Sequence, residues 1–166
     1  MPNSTIPPLL KPSIVRQPIT NHAHSYVLLS AFSTFLVATW HGSLVGKHRK
    51  LAQIPYPFEY ASYEQVQTAS PAKSSQMLRF NSAQRSHQNF NENHVTALGS
   101  MLISGLVYPR AAAVLGATWA VNRVVYALGY TNGPKDGKGR YYGSLGLLAH
   151  YIMIVLAGTS LWQLMK

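Results

Sequence analysis

Arg85, Asn89 and Glu92 stand at positions i, i+4 and i+7 within QRSHQNFNENH, residues 84–94. On a helix that spacing lines them along one face. Arg123, Tyr126 and Tyr130 form a similar row further along the chain, at i, i+3 and i+7. The residue types say what such faces could hold. A guanidinium presents a planar donor fork to a carboxylate or a phosphate. A single glutamate among arginines suits an ammonium group, and Asn and Tyr suit amides. A small peptide-like ligand with carboxylates and an amine matches the whole set. A lipid phosphate would occupy the arginines and leave Glu92 unexplained.

Other chemistries lack the residues they need. The chain contains no cysteine, which removes disulfides, thiolate metal sites and cysteine nucleophiles. If thiol chemistry occurs, the thiol comes from a ligand. No phosphate-binding loop, Ser-His-Asp set or pair of neighbouring carboxylates is visible. His41, His94 and His150 have no metal-ligand spacing and read as packing or interfacial residues, so no metal is expected.

The elements that must position these residues read as membrane helices. Of 166 residues, 47% are apolar and only 11% charged, against about 25% charged in soluble domains. Glu59, Glu64, Glu92 and Asp136 are the only acids, and the formal net charge is +10. The basic residues fall in the gaps between apolar runs, not in a stripe interleaved with aromatics. That fits the charge bias of a membrane protein and argues against nucleic acid as a partner. Residues 1–25 carry five prolines and read as a tail; residues 26–166 read as one membrane domain. The run 26–46 is uncharged and long enough to cross a bilayer core. Residues 47–84, with Pro55, Pro57 and Pro71, read as a long loop. The run Val95–Tyr108 is too short to span, at roughly 21 Å of helix, so its helix must borrow from the polar stretch before it. The runs 111–130 and 141–165 complete the set. The expected fold class is all-α, an integral membrane four-helix bundle.

Four crossings put both termini on one side, here called side A, and the loops 47–84 and 131–140 on side B. Side B carries Lys47, Arg49, Lys50, Lys73, Arg79, Arg85, Lys135, Lys138 and Arg140; side A carries Lys11, Arg16, Arg110 and Lys166. The positive-inside bias then makes side B cytosolic. Every helix carries its polar groups at the side B end. Charged groups at membrane depth face the protein interior or a watery cavity, so a pocket rich in Arg and Tyr is expected near side B. Because no polar stripe runs from end to end, a channel is disfavoured. Each residue alone has a plainer reading. Arg85 and Glu92 could be a structural ion pair, Arg49 and Lys50 juxtamembrane anchors, Tyr126 and Tyr130 interfacial belt residues, Arg140 a solvated loop residue and Arg123 a bundle residue. Only their joint arrangement argues for a site.

Three stretches, FNSAQRSHQNFNE (80–92), YPRAAAVLGATWAVNRVVYALGY (108–130) and GRYYGSLG (139–146), also resemble the MAPEG family of membrane-associated glutathione and eicosanoid enzymes. The resemblance covers roughly residues 26–166 and is nearest to the type-three microsomal glutathione transferases. It implies a homotrimer with glutathione bound between subunits and open to the cytosol. It implies residues as well. Arg85, His87, Asn89 and Glu92 match the helix-two glutathione contacts, Tyr126 and Tyr130 the helix-three tyrosines, and Arg49 the helix-one arginine. Arg140 matches the arginine beside the glutathione sulfur, which is the catalytic position. Asn93 stands where relatives have an aromatic, Val95 where proline is frequent, and Lys50 where a second arginine occurs. The implied activity is glutathione transfer to apolar electrophiles, leukotriene-type lipids among the candidates, or reduction of lipid hydroperoxides. The implied location is the endoplasmic reticulum membrane, with the outer mitochondrial membrane as the alternative. A non-catalytic lipid-binding scaffold of the same fold is the competing function.

Overall fold

The computed structural model describes residues 22–133 and 137–166. Four long helices dominate it: α1 (His22–Ala52), α3 (Pro71–Gly105), α4 (Pro109–Asn132) and α5 (Ser144–Leu164). A short helix, α2 (Tyr63–Thr68), precedes α3, and a 3-10 turn (Lys138–Gly143) leads into α5. Among the described residues there is no strand. The expected N-terminal tail falls outside the described residues up to position 21; His22 to Ser25 already belong to α1.

By length and composition three helical segments are able to cross a membrane: His22–Ala52, Pro109–Asn132 and Lys138–Leu164. α3 has 35 residues, about 52 Å, but its first half is polar. It packs along α1, α4 and α5, and α4 likewise touches all three of the other long helices. α3 and α4 are thus the inner pair, with α1 and α5 on their flanks. The connection from Gly105 to Pro109 is too short for anything but an antiparallel pair. Pro109 sits in the first turn of α4, where its missing N–H costs nothing.

The loop expected over 47–84 is largely helix. α1 runs on to Ala52, and α3 starts at Pro71. Pro71 reads as a loop breaker, yet it occupies the first turn of α3 behind the N-cap Ser70. What stabilises this extension is tertiary. Met77, Phe80 and Ala83 recur every three residues and are buried against Val45, Ala52, Ile54, Ala61 and Val66. The connecting segment that remains is fastened to α3. The Asn81 amide accepts from the Ala61 N–H at 2.8 Å and donates to the Ala61 carbonyl at 2.9 Å. The Tyr60 hydroxyl donates to Gln88, and burial pushes the Tyr60 phenol above its ordinary value. A second apolar core lies deeper in the bundle, around Phe90, Met101, Trp119 and Met153.

Candidate functional site

The face predicted on α3 forms. Arg85 and Glu92 meet through both terminal guanidinium nitrogens, at 2.7 and 3.3 Å, and about half of each side chain stays exposed. The pair spans two turns of α3, with Asn89 between them. Asn89 is reached from α4: Arg123 Nη1 donates to Asn89 Oδ1 at 3.1 Å. Arg123 Nη2 donates to the Gly143 carbonyl at 3.1 Å, and the guanidinium lies 4.9 Å from the centre of the Tyr126 ring. Arg123 is only 5% exposed. It joins α3, α4 and the 3-10 turn, and acts as a post for the site's walls.

The 3-10 turn brings Arg140 to the same end. Its seating depends on two glycines. A Cβ on Gly139 would fall far inside van der Waals contact with the Gly129 carbonyl oxygen, and one on Gly143 would meet the Tyr126 Cβ at 2.6 Å. Any side chain there would lift the turn off α4. One turn further on, the Gly146 N–H donates to Asn122 Oδ1 at 2.7 Å, locking the start of α5. Arg140 itself is exposed, and its Nη2 donates to the Tyr141 hydroxyl at 3.1 Å.

Two neighbouring grooves result. One, of about 260 Å³, is lined by Asn89, Asn93, Arg123, Tyr126, Arg140 and Tyr141, with Leu147 as an apolar wall. The other, about 510 Å³, is lined by Arg85 and Tyr130 together with Tyr60, Arg79, Asn81 and Ser82. Tyr126 and Tyr130 stand edge to face, 5.9 Å apart, one in each groove. Guanidinium, phenol and amide groups from three elements therefore share one end of the bundle. Such a set binds anionic and amide groups through charge-assisted and neutral hydrogen bonds. The sequence profile of the MAPEG family matches residues 27–159. The chain belongs to the MAPEG family.

Membership of the MAPEG family is consistent with a membrane glutathione transferase or a role in lipid metabolism. The family also contains non-catalytic members, so residues must be judged by position. Glu92 stays on the Arg85 face but lines neither groove, and two further expected site residues lie elsewhere within the chain. His87 is two residues from Arg85, about 200° around a helix, and its ring stacks on His41 of α1 at 5.9 Å. Arg49 is buried. Its Nη1 donates to the Phe58 carbonyl at 2.6 Å, and its guanidinium lies 4.4 Å from the Tyr56 ring centre and 4.7 Å from that of Phe80. Arg49 thereby holds the 55–58 turn and lines neither groove. Conversely, Tyr60, Arg79 and Tyr141 line grooves and escaped sequence reasoning, since nothing in their spacing ties them to α4. Asn93 shares the groove with Asn89 because it lies four residues further along α3. That spacing was visible in the sequence.

His41 and His150 are buried and His94 is half-buried. His41 packs on Phe90 at 5.0 Å. His94 Nε2 is 2.8 Å from Thr34 Oγ1, and His150 Nε2 is 3.0 Å from Thr96 Oγ1. These bonds tie α3 to α1 and to α5.

Proposed function

We propose that this MAPEG protein is a membrane-bound glutathione transferase that also reduces lipid hydroperoxides, akin to the type-three microsomal glutathione transferases. The observation that carries the reading is the groove shared by Asn89 of α3, Tyr126 of α4 and Arg140 of the 3-10 turn, with Arg85 and Glu92 on the same face of α3. In this reading Arg85 holds a glutathione carboxylate, Glu92 its ammonium group, and Asn89 and the tyrosines its amides. Arg49 and His87 line neither groove and act on the site through packing, and in this reading a homotrimer closes the site between subunits. α3 is the fourth crossing, its polar face turned to the site and not to lipid. Side B faces the cytosol of the endoplasmic reticulum membrane.

The chemistry is thiolate generation. A free thiol has a pKa of about 8.5, so only a few per cent is ionised at neutral pH. A guanidinium near the sulfur favours the anion and lowers that value. Arg140 is exposed at the groove, and its guanidinium carries five N–H donors, more than its bonds to Tyr141 and Tyr130 use, which leaves donors to face a sulfur. The thiol proton leaves to water. The thiolate attacks an electrophilic carbon of an apolar substrate arriving through the lipid, forming a C–S bond as the leaving group departs. With a hydroperoxide, sulfur attacks the terminal oxygen, the O–O bond breaks, and the departing alkoxide takes a proton from water to give the alcohol. A second glutathione then displaces water from the sulfenic acid to give the disulfide.

The test pairs two measurements. Arg140→Ala is expected to retain glutathione binding by calorimetry and to lose most glutathione-dependent turnover; equal turnover removes Arg140 from this role. One observation favours the scaffold reading: Arg85 and Glu92 satisfy each other in the protein alone, as a structural pair would. No binding at millimolar glutathione decides for the scaffold.

A further inference from the structure

A separate trough opens at the opposite end of the bundle, between the first turns of α1 and α4. Its volume is about 690 Å³, within the range of small-molecule sites. The floor is made of small residues, Ser30 and Ala113, where the Ser30 hydroxyl donates to the Ala113 carbonyl at 2.9 Å. The walls are apolar: Tyr26, Leu29 and Val114 stand 60, 62 and 66% exposed. At the mouth stand His22 and Arg110, and Ala117 closes the inner end. From Arg110 to Ala117 the trough runs about 10 Å along α4.

The charge at that mouth is all of one sign. α1 and α4 run in the same direction, and α4 presents its positive N-terminal end here. Neither has an acid in its first turn, and α4 has no side-chain cap. Arg110 has no hydrogen-bond or ion-pair partner among the described residues. The sequence supplies no carboxylate side chain either. Glu59, Glu64 and Glu92 belong to the opposite end, and Asp136 falls in the connection after α4; residues 1–21 contain no acid. Arg110 therefore has no acidic side chain of this chain to meet, and its guanidinium is open to an external anion. The adjoining trough is apolar and opens sideways, between two helices able to cross a membrane.

We infer that this trough is a binding site for a bilayer glycerophospholipid, with its phosphate on Arg110 and His22 and one acyl chain between α1 and α4. Arg110 supplies a planar fork for phosphate oxygens, and the exposed Tyr26 and Val114 flank the chain below it. The site is independent of the groove at Arg140, so it stands whether or not the protein turns over glutathione.

Native mass spectrometry of the full-length protein, purified in detergent and titrated with palmitoyl-oleoyl phosphatidylglycerol, tests the assignment. One preferred adduct per chain is expected, with diacylglycerol of the same acyl composition failing to form it. Arg110→Gln removes the charge-assisted bonds and should weaken apparent affinity about tenfold. Ala117→Phe keeps the charge and fills the trough, and should weaken it comparably. Both positions are exposed, and both variants should keep the wild-type circular dichroism spectrum. Equal binding by the wild type and both variants overturns the inference. So does equal binding of diacylglycerol. Loss in Arg110→Gln with full retention in Ala117→Phe would mean an anion contact without an acyl site, and equally overturns it.

Discussion

Replacing Arg123 by methionine separates a structural post from a ligand contact. The substitution keeps the apolar stem and removes the guanidinium head. Two bonds vanish, to Asn89 Oδ1 and to the Gly143 carbonyl, each 3.1 Å long. Hydrogen bonds to a charged group contribute about 1.5–3 kcal/mol each, so the gross loss is about 3–6 kcal/mol. Against this stands the cost of holding a guanidinium away from water. Arg123 is 5% exposed and its Nε has no partner within the described residues; burying such an ion costs several kcal/mol. The two terms nearly cancel, so the thermal midpoint in detergent should move by only a few degrees. Position does not cancel. Asn89 and the 3-10 turn lose the one side chain that joins them, and a displacement of about 1 Å at a reacting group costs on the order of 100-fold in rate. Glutathione-dependent turnover should therefore fall roughly 10–100-fold in a protein that remains folded. The assay is turnover beside a melting curve on the same preparation. Wild-type turnover in a folded Arg123→Met protein would refute the reasoning, because the walls would then not depend on their post.

Three further outcomes follow from the same geometry. Gly139→Ala should lift the 3-10 turn from the Gly129 carbonyl and reduce turnover more than glutathione affinity; steady-state kinetics beside calorimetry would separate the two. Asn81→Ala removes both bonds to Ala61, at about 1 kcal/mol each, and hydrogen exchange in residues 54–66 should accelerate while α4 and α5 stay protected. The Tyr60 phenol is raised by burial, so the folded protein holds this proton to higher pH than the unfolded chain does. Stability from this group is constant below the ordinary phenol value of about 10 and falls as pH rises above it. Melting curves across that range should show a fall that Tyr60→Phe reduces.

Several features were present in the sequence alone. Arg85, Asn89 and Glu92 share a face because helical spacing is a local property, and the helix carrying them runs through QRSHQNFNENH, as the short apolar run after it led one to expect. The runs at 26–46, 111–130 and 141–165 declared membrane-capable helices by length and composition, as three such segments show. Pairings between elements were beyond that logic. Periodicity tells which side of its own helix a residue occupies; it does not tell which neighbour that side meets. Arg123 reaches Asn89 and Gly143 only because Gly139, Gly143 and Gly146 allow the turn and α5 to press against α4. Arg49 is drawn into the 55–58 turn, and His87 is turned onto His41, by packing surfaces that no single segment displays. The helix over 71–84, where a loop is expected, has the same cause. It is stabilised by burying Met77, Phe80 and Ala83 on distant residues, and that burial exists only once the chain has folded.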